Sequence, residues 1–325
     1  ACRLLAAAAL AACALGAPQL SGGEELEEAF VGWGGELARE RASDGTSVIR
    51  LSNGLLMPAI GLGTAAMGGD CRAAVESALS IGYTLLDTAQ AYEWYREDLV
   101  AEGLRASGAK REDVWITTKI HPRDHGYSTA LRAVERSLQQ FQTSYLDLML
   151  LHYPRCWGDL CGRDHVEQGT WRDSWRALEE AYAQGKLRAI GVSNFWPSDL
   201  EELGNFAREG PHVVQNWADP LHQDRSTRAA TERIGAVYQA YSVLGTQHIH
   251  KRGSNPVLAH PTLVRIGKAH GDVGAAEVTL AWALQRGMAV IPRSTNPAHM
   301  RTSLAAADLK LTEAELLEID ALDGQ

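Results

Sequence analysis

VWITTKIHPRDHGYSTALRAVERSLQQFQTSYLDLMLLH, residues 114–152, is the stretch that decides the fold. Val114–Thr118 is an apolar and β-branched run that ends at Lys119. Ser128–Gln140 follows with helical spacing of its apolar residues, and Leu146–Leu151 is a second apolar run, ending at His152. Neither run alternates apolar with polar, so each strand is expected to be covered on both faces. Strand, amphipathic helix and covered strand together make a βα unit of a parallel sheet.

The same rhythm extends in both directions. Further strands are read at Ala59–Gly63, Tyr83–Asp87, Leu187–Val192, His212–Asn216, Ala236–Ala240 and Met288–Ile291. Helical patterns fall between them at Cys71–Leu79, Trp171–Ala183, Ser198–Phe206 and Gly274–Arg286, with another at Glu313–Leu322. Eight strands, each followed by a helix or loop, predict an α/β fold of the closed (β/α)8 TIM-barrel type, which needs about 250 residues. Ahead of the first strand, Ser52-Asn53-Gly54 sits between Val48–Leu51 and Leu55–Met57. An Asn-Gly between apolar runs signals a hairpin, here an N-terminal β-hairpin cap on the bottom of the barrel. The domain reading is residues 1–20 as a leader-like segment, 21–46 as a flexible extension and 47–325 as the barrel.

A dinucleotide-binding fold is the competing organisation. Gly61-Leu62-Gly63-Thr64-Ala65-Ala66 fits the G-x-G-x-x-A dinucleotide fingerprint, and Asp87 ends the next strand. In a true dinucleotide fold the helix opens inside the glycine motif so that its N-terminus meets the pyrophosphate. Here Met67-Gly68-Gly69 intervene and helical periodicity starts near Asp70, so the barrel is preferred.

The 325 residues carry a formal charge of −9, which argues against a broad nucleic-acid surface. Five cysteines are an odd count, with no CxxC and no Cys/His cluster read at metal-ligand spacing. Cys156 and Cys161 share one loop; two free thiols are favoured over a bridge. Leu4–Leu15, between Arg3 and Gly16-Ala17-Pro18, looks like the apolar core of a leader and is too short to span a bilayer. The sequence leaves open a cytoplasmic, organellar or exported location. No membrane span, no nucleic acid and no metal are expected, and the chain is read as a monomer.

Three consecutive strands end in ionisable residues: Asp87, Lys119 and His152. Active sites of barrels lie at the carboxyl ends of the strands, and neighbouring strands bring these groups to one mouth. A Lys emerging from an apolar run needs a counter-charge, and Asp87 is the obvious one. Tyr92 stands five residues beyond Asp87. A phenol titrates at about 10, and an adjacent ammonium would lower that value. The expected design is Tyr92 as general acid, tuned by Lys119, which Asp87 holds, with His152 orienting a substrate carbonyl. That set suits protonating an oxygen while hydride arrives at carbon.

With these residues in place the chain resembles an aldo-keto reductase. The motifs are Asn53-Gly54, Gly61-Leu62-Gly63-Thr64, Asp87-Thr88-Ala89 with Tyr92, Thr117-Thr118-Lys119 and Leu151-His152-Tyr153-Pro154. They continue with Gly185 to Phe195, Tyr241-Ser242 and Ile291-Pro292-Arg293-Ser294, so the resemblance runs from about residue 48 to 323. It implies NADPH-dependent reduction of aldehydes or ketones, with NADH as a weaker alternative cofactor. Tyr241 would stack on the nicotinamide, and Ser193, Asn194 and Gln215 would bond its carboxamide. Thr64, Asp87 and the loop Ser242–Thr246, including Leu244, would line the ribose and pyrophosphate. Arg293 and Ser294 would meet the 2′-phosphate, where barrels often bind phosphate.

The departures carry expectations of their own. Relatives commonly follow the tyrosine with a short Asn-Glu turn, whereas this chain reads Glu93-Trp94-Tyr95-Arg96-Glu97. Trp94 and Tyr95 are read either as a wall of the substrate pocket or as loop packing. His299 stands where many relatives have a phosphate-binding Arg, and Ser303 where an adenine-contacting Asn is usual; Arg301 is a substitute candidate. Relatives often continue into a C-terminal loop over the substrate. Since this sequence ends at Gln325, a more open pocket is expected, shaped by Arg155–Thr170 with Trp157. The alternative function is a catalytically weak NADP(H)-binding regulatory or interaction protein. A hydrolase or isomerase lacks an activated Ser or Cys constellation.

Overall fold

The computed structural model describes residues 39–43 and 45–325. The leader-like segment 1–20 and the extension as far as residue 38 lie outside the described residues. The strands are β1 (Arg39–Arg41), β2 (Ser47–Arg50), β3 (Leu56–Pro58), β4 (Leu62–Gly63), β5 (Leu85–Asp87), β6 (Trp115–Ile120), β7 (Leu148–Leu151), β8 (Ile190–Ser193), β9 (Val213–Trp217), β10 (Val237–Tyr241) and β11 (Ala289–Val290). The helices are α1 (Cys71–Ile81), α2 (Glu97–Ser107), α3 (Tyr127–Phe141), α4 (Trp171–Ala183), α5 (Pro197–Gly204), α6 (Arg225–Arg233), α7 (Thr246–Arg252), α8 (Pro261–Ala269), α9 (Ala275–Gln285), α10 (Pro297–Ala305) and α11 (Glu313–Asp320).

Strands β4 to β11 are hydrogen-bonded in sequence order, and every pairing is parallel. The seam between the first and last of them is bridged at Ile60 and Val290. Gly61 donates to the Val290 carbonyl at 2.9 Å and Gly63 to that of Pro292 at 3.1 Å. Gly63 is required at this seam because a Cβ there would lie 2.6 Å from the Ile291 carbonyl oxygen. All six residues of β6 are buried, as the unbroken apolar run demands. On α3 the buried residues Ala130, Ala133, Val134, Ser137, Leu138 and Phe141 follow the 3.6 period and cover the sheet.

Val48–Arg50 pairs antiparallel with Leu56–Pro58 across the Asn53-Gly54 turn, where Gly54 has φ +85°. The Asn53 side chain donates to the Arg188 carbonyl at 3.0 Å, tying the cap to the lower end of the barrel. One difference from the sequence reading lies beside it. Arg39–Arg41, assigned to the extension, pairs with Ser47–Ile49 as a third strand. Its Arg-Glu-Arg composition offers no apolar alternation, and backbone pairing with an existing edge, aided by the Arg50–Glu40 ion pair at 2.7 Å, supplies the order instead. The glycine-rich stretch after β4 leads through a short turn to a helix that starts only at Cys71, as the barrel reading requires.

Candidate active site

Asp87 closes β5 and Lys119 lies near the end of β6; both are buried. The Lys119 ammonium donates to Asp87 Oδ1 at 2.6 Å and to the Thr88 carbonyl at 2.8 Å. The other Asp87 oxygen accepts from Gln215 Nε2 at 2.7 Å, which also reaches Gln239 Oε1 at 2.7 Å. Burial pushes the Asp87 carboxyl up and the Lys119 ammonium down, and each partner opposes the shift of the other. Removing one member of such a pair strands a buried charge and costs about 3–5 kcal/mol.

His152 follows β7, and its backbone N–H continues the ladder by bonding the Ile120 carbonyl at 3.0 Å. Its ring is buried, and Nδ1 has no hydrogen-bond partner. Burial, then the charges of Lys119 and His121, hold it well below the ordinary imidazole value, so the ring is neutral near pH 7.

The tyrosine expected to join this set does not. Tyr92 is 61% exposed and belongs to a separate cleft of about 560 Å³ with Arg105, Arg123 and Arg136. Its phenol is raised by burial, then by Glu97 and Asp98. Tyr95 occupies the mouth instead. The Lys119 ammonium lies 5.0 Å from the centroid of the Tyr95 ring, and that ring meets His152 edge-on at 5.8 Å.

The cause is local. Trp94 and Tyr95 both donate their backbone N–H to the Ala91 carbonyl, at 2.9 and 2.8 Å, so residues 91–95 turn tightly. The Trp94 carbonyl is gripped by Ala66 N–H at 2.6 Å. Two residues on, α2 begins at Glu97, whose buried carboxylate accepts from Thr118 Oγ1 at 2.5 Å and Ser137 Oγ at 2.7 Å. Those anchors draw Tyr95 into the mouth and leave Tyr92 outside. Each tyrosine has a glutamate soon after it, Glu93 after Tyr92 and Glu97 after Tyr95, and only burial of Glu97 separates the two. The expected lowering of the phenol is also reversed. Burial, then Asp87 and Tyr153, hold Tyr95 well above 10.

A cavity of about 340 Å³ opens above these groups. One side is aromatic, with Trp94, Tyr95, Tyr153 and Trp157 around His152. The Trp94 and Trp157 rings are nearly parallel, 15° apart with centroids at 6.4 Å. The other side carries Ser193, Asn194, Gln215, Tyr241, Ser242, Leu244 and Thr246, with Arg293 at one edge. Tyr241 donates to Asn194 Oδ1 at 2.7 Å, and Asn194 Nδ2 donates to the His152 carbonyl at 2.9 Å. Asn194 and Ser242 have φ of +58° and +52°, so both strand-end turns are in the left-handed region.

Thr64, Ser294 and His299 do not line this cavity. Thr64 is fully buried beneath the cavity, its hydroxyl donated to the Asp87 carbonyl at 2.8 Å. Ser294 bonds within its own turn to Asn296, and His299 is exposed on α10.

The cysteine reading is corrected as well. Cys156 and Cys161 form a disulfide with Cα atoms 5.8 Å apart, although free thiols were favoured. The two sulfurs and a ring nitrogen of His165 lie within 4.8 Å of one another, a Cys/His grouping that linear spacing concealed. In the bridged form neither sulfur is a thiolate, so the group has no thiolate to offer a metal. Cys71 is the free thiol among the described residues, buried and pushed up to about 11.

A parallel barrel whose mouth joins a buried ion pair, a neutral imidazole and a phenol beside a half-aromatic cleft is an arrangement of carbonyl oxidoreductases. A profile of the Aldo/keto reductase family matches residues 59–324, and the chain belongs to that family. It is 36% identical over 282 residues to morphine 6-dehydrogenase of Pseudomonas putida, covering 85% of this chain and 91% of that one. It is 35% identical over 277 residues to glyoxal reductase of Bacillus subtilis, covering 85% and 92%. Among solved structures, an aldo-keto reductase from Bombyx mori in complex with NADP superposes with a TM-score of 0.77 at 25% identity, covering 85% and 92%. No helix among the described residues is long and apolar enough to cross a membrane.

Proposed function

We propose that this chain reduces aldehydes or ketones to alcohols with NADPH, and that Tyr95 rather than Tyr92 is the general acid. The observation that carries the reading is that Tyr95, Asp87 and His152 line one cavity, with the Lys119 ammonium buried against Asp87 and the Tyr95 ring. Two properties of the cleft fit a nicotinamide cofactor. Its polar side offers a carboxamide-sized set of donors and acceptors in Ser193, Asn194 and Gln215 beside the flat ring of Tyr241. An exposed Arg293 at its edge, bonded among the described residues to the Ala65 and Ala66 carbonyls, has donors left for a phosphate. The cofactor, when bound, supplies hydride.

The protein's own residues then have separate tasks. Neutral His152 offers an N–H to the substrate oxygen and orients it without adding charge. Tyr95 remains protonated throughout the ordinary pH range and is still a far stronger acid than an alcohol, so its proton passes to the oxygen as alkoxide character develops. Lys119 stabilises the phenolate left behind, and Asp87 fixes the ammonium in place. The aromatic wall excludes water from the reacting oxygen.

The full chain should consume NADPH, and NADH more slowly, when offered a panel of aldehydes. Tight NADPH binding with no turnover on any carbonyl would favour the regulatory alternative, and failure to bind either nucleotide would overturn both.

A further inference from the structure

The segment between Pro154 and Trp171 contains neither helix nor strand. The backbone hydrogen bonds of its central part are local turns: Leu160 to Trp157 at 3.1 Å, Gly162 to Asp159 at 3.0 Å and His165 to Gly162 at 3.3 Å. Side-chain tethers hold its beginning, where Arg155 pairs with Asp199 at 2.8 Å, and Leu160 is buried beneath it. The covalent tie is the Cys156–Cys161 disulfide, and Trp157 lies inside the small ring that it closes. That tryptophan is the outer panel of the aromatic wall, parallel to Trp94 and edge-on to Tyr153 at 5.8 Å. The buried indole N–H of Trp157 has no partner among the described residues, so no hydrogen bond from them holds the ring where it stands.

We infer that the Cys156–Cys161 disulfide is a reversible thiol-redox site that sets the breadth of substrate accepted by positioning Trp157. The bridged state holds the panel against Trp94 and favours flat aromatic carbonyls; the dithiol state releases it. The inference rests on the carbonyl-reductase reading for its substrates but on the loop's own construction for its mechanism.

Both sulfurs are partly exposed, unlike the buried thiol of Cys71. Reduction needs a dithiol reductant. One of its thiolates attacks a cysteine sulfur, the S–S bond breaks and a mixed disulfide forms. Its second thiol then displaces the protein sulfur and leaves as a cyclic disulfide. Two electrons and two protons pass to Cys156 and Cys161. The bridge re-forms by the reverse exchange with a disulfide oxidant, which takes the two electrons and leaves as a dithiol, and the His165 imidazole, within 4.8 Å of both sulfurs, is placed to accept a thiol proton in that step.

The test compares the full chain, with a chelator present throughout, after oxidation and after treatment with dithiothreitol, the state of the bridge being read by mass on the peptide that carries it. A Cys156→Ser/Cys161→Ser double variant represents the released state. With 2-naphthaldehyde, reduction should raise KM by about tenfold, the loss of one aromatic contact. The rate with propanal should change by less than about twofold on the same argument. The double variant should show the higher KM whether or not reductant is added. Equal KM for naphthaldehyde in verified disulfide and dithiol states, or no bridge after oxidation, overturns the inference. If neither aldehyde turns over, the functional reading fails and quenching of tryptophan fluorescence by 2-naphthaldehyde still decides: about tenfold weaker binding on reduction supports the switch, and equal binding rejects it.

Discussion

Tyr95 and His152 are both held in the form that the proposed reduction requires, and burial is the largest cause for each. The sign for pH follows directly. Tyr95 must be protonated, and its value lies above 10, so alkaline loss of activity begins only there. His152 must be neutral, and its value lies well below 6.5, so acid loss begins below that point. We expect kcat for aldehyde reduction to be flat between about pH 6.5 and 9. A pH–rate profile with a midpoint near 7 would contradict these assignments. At this scale Asp87, Lys119 and His152 were legible because each ends an apolar run. The tyrosine that faces the mouth was not, because counting five residues from Asp87 does not reveal that residues 91–95 fold into a turn. Glu97 carried the missing information, as a carboxylate that β6 and α3 would bury.

Among the elements, the join between β5 and α2 governs the site. Replacing Glu97 by Ala removes the acceptor for two buried hydroxyls, Thr118 and Ser137, and unpins the turn that presents Tyr95. The expected cost is about 1–3 kcal/mol in stability, measured by denaturant unfolding. Because Glu97 acts through the position of Tyr95, kcat should fall more than KM rises; an unchanged kcat in a destabilised variant would make the residue merely structural. Helices were read well where one face was apolar: α4 is Trp171–Ala183 in sequence and structure alike. Strand ends were read less well. The run Leu187–Val192 becomes Ile190–Ser193 because Leu187 makes only an isolated bridge to Leu146 and regular pairing starts three residues later. The strand Arg39–Arg41 was missed because its order comes from pairing, which composition does not encode.

For the whole molecule, the barrel followed from the repeated βα rhythm, whereas the disulfide depended on a loop conformation that spacing does not specify. The interior also sets a response to acid. Buried His121, at about 3, and His125, His152 and His212 are all depressed, chiefly by burial. Unfolded, each binds a proton near 6.5; folded, each resists it. Stability is therefore complete above about 6.5 and declines as pH falls below it, by up to ~1.4 kcal/mol per pH unit for each group. Asp87, Glu97 and Asp224 are shifted up and act in the opposite sense, from their raised values down to the ordinary carboxylate range, so they offset part of the histidine effect. Thermal unfolding should show Tm lower at pH 5 than at pH 7.5. A Tm that holds constant or rises over that interval would mean the histidines are not buried in neutral form.

The central claim is that the phenol beside Lys119 delivers the proton, and the paired variants Tyr95→Phe and Tyr92→Phe test it most directly. Single-turnover oxidation of NADPH by an aldehyde, alongside a fluorescence titration of NADPH, should show the Tyr95 variant slowed by about 10²–10⁴-fold with nucleotide affinity intact. The Tyr92 variant should react like the parent protein. Normal turnover without the Tyr95 hydroxyl, or its collapse without that of Tyr92, would contradict the account.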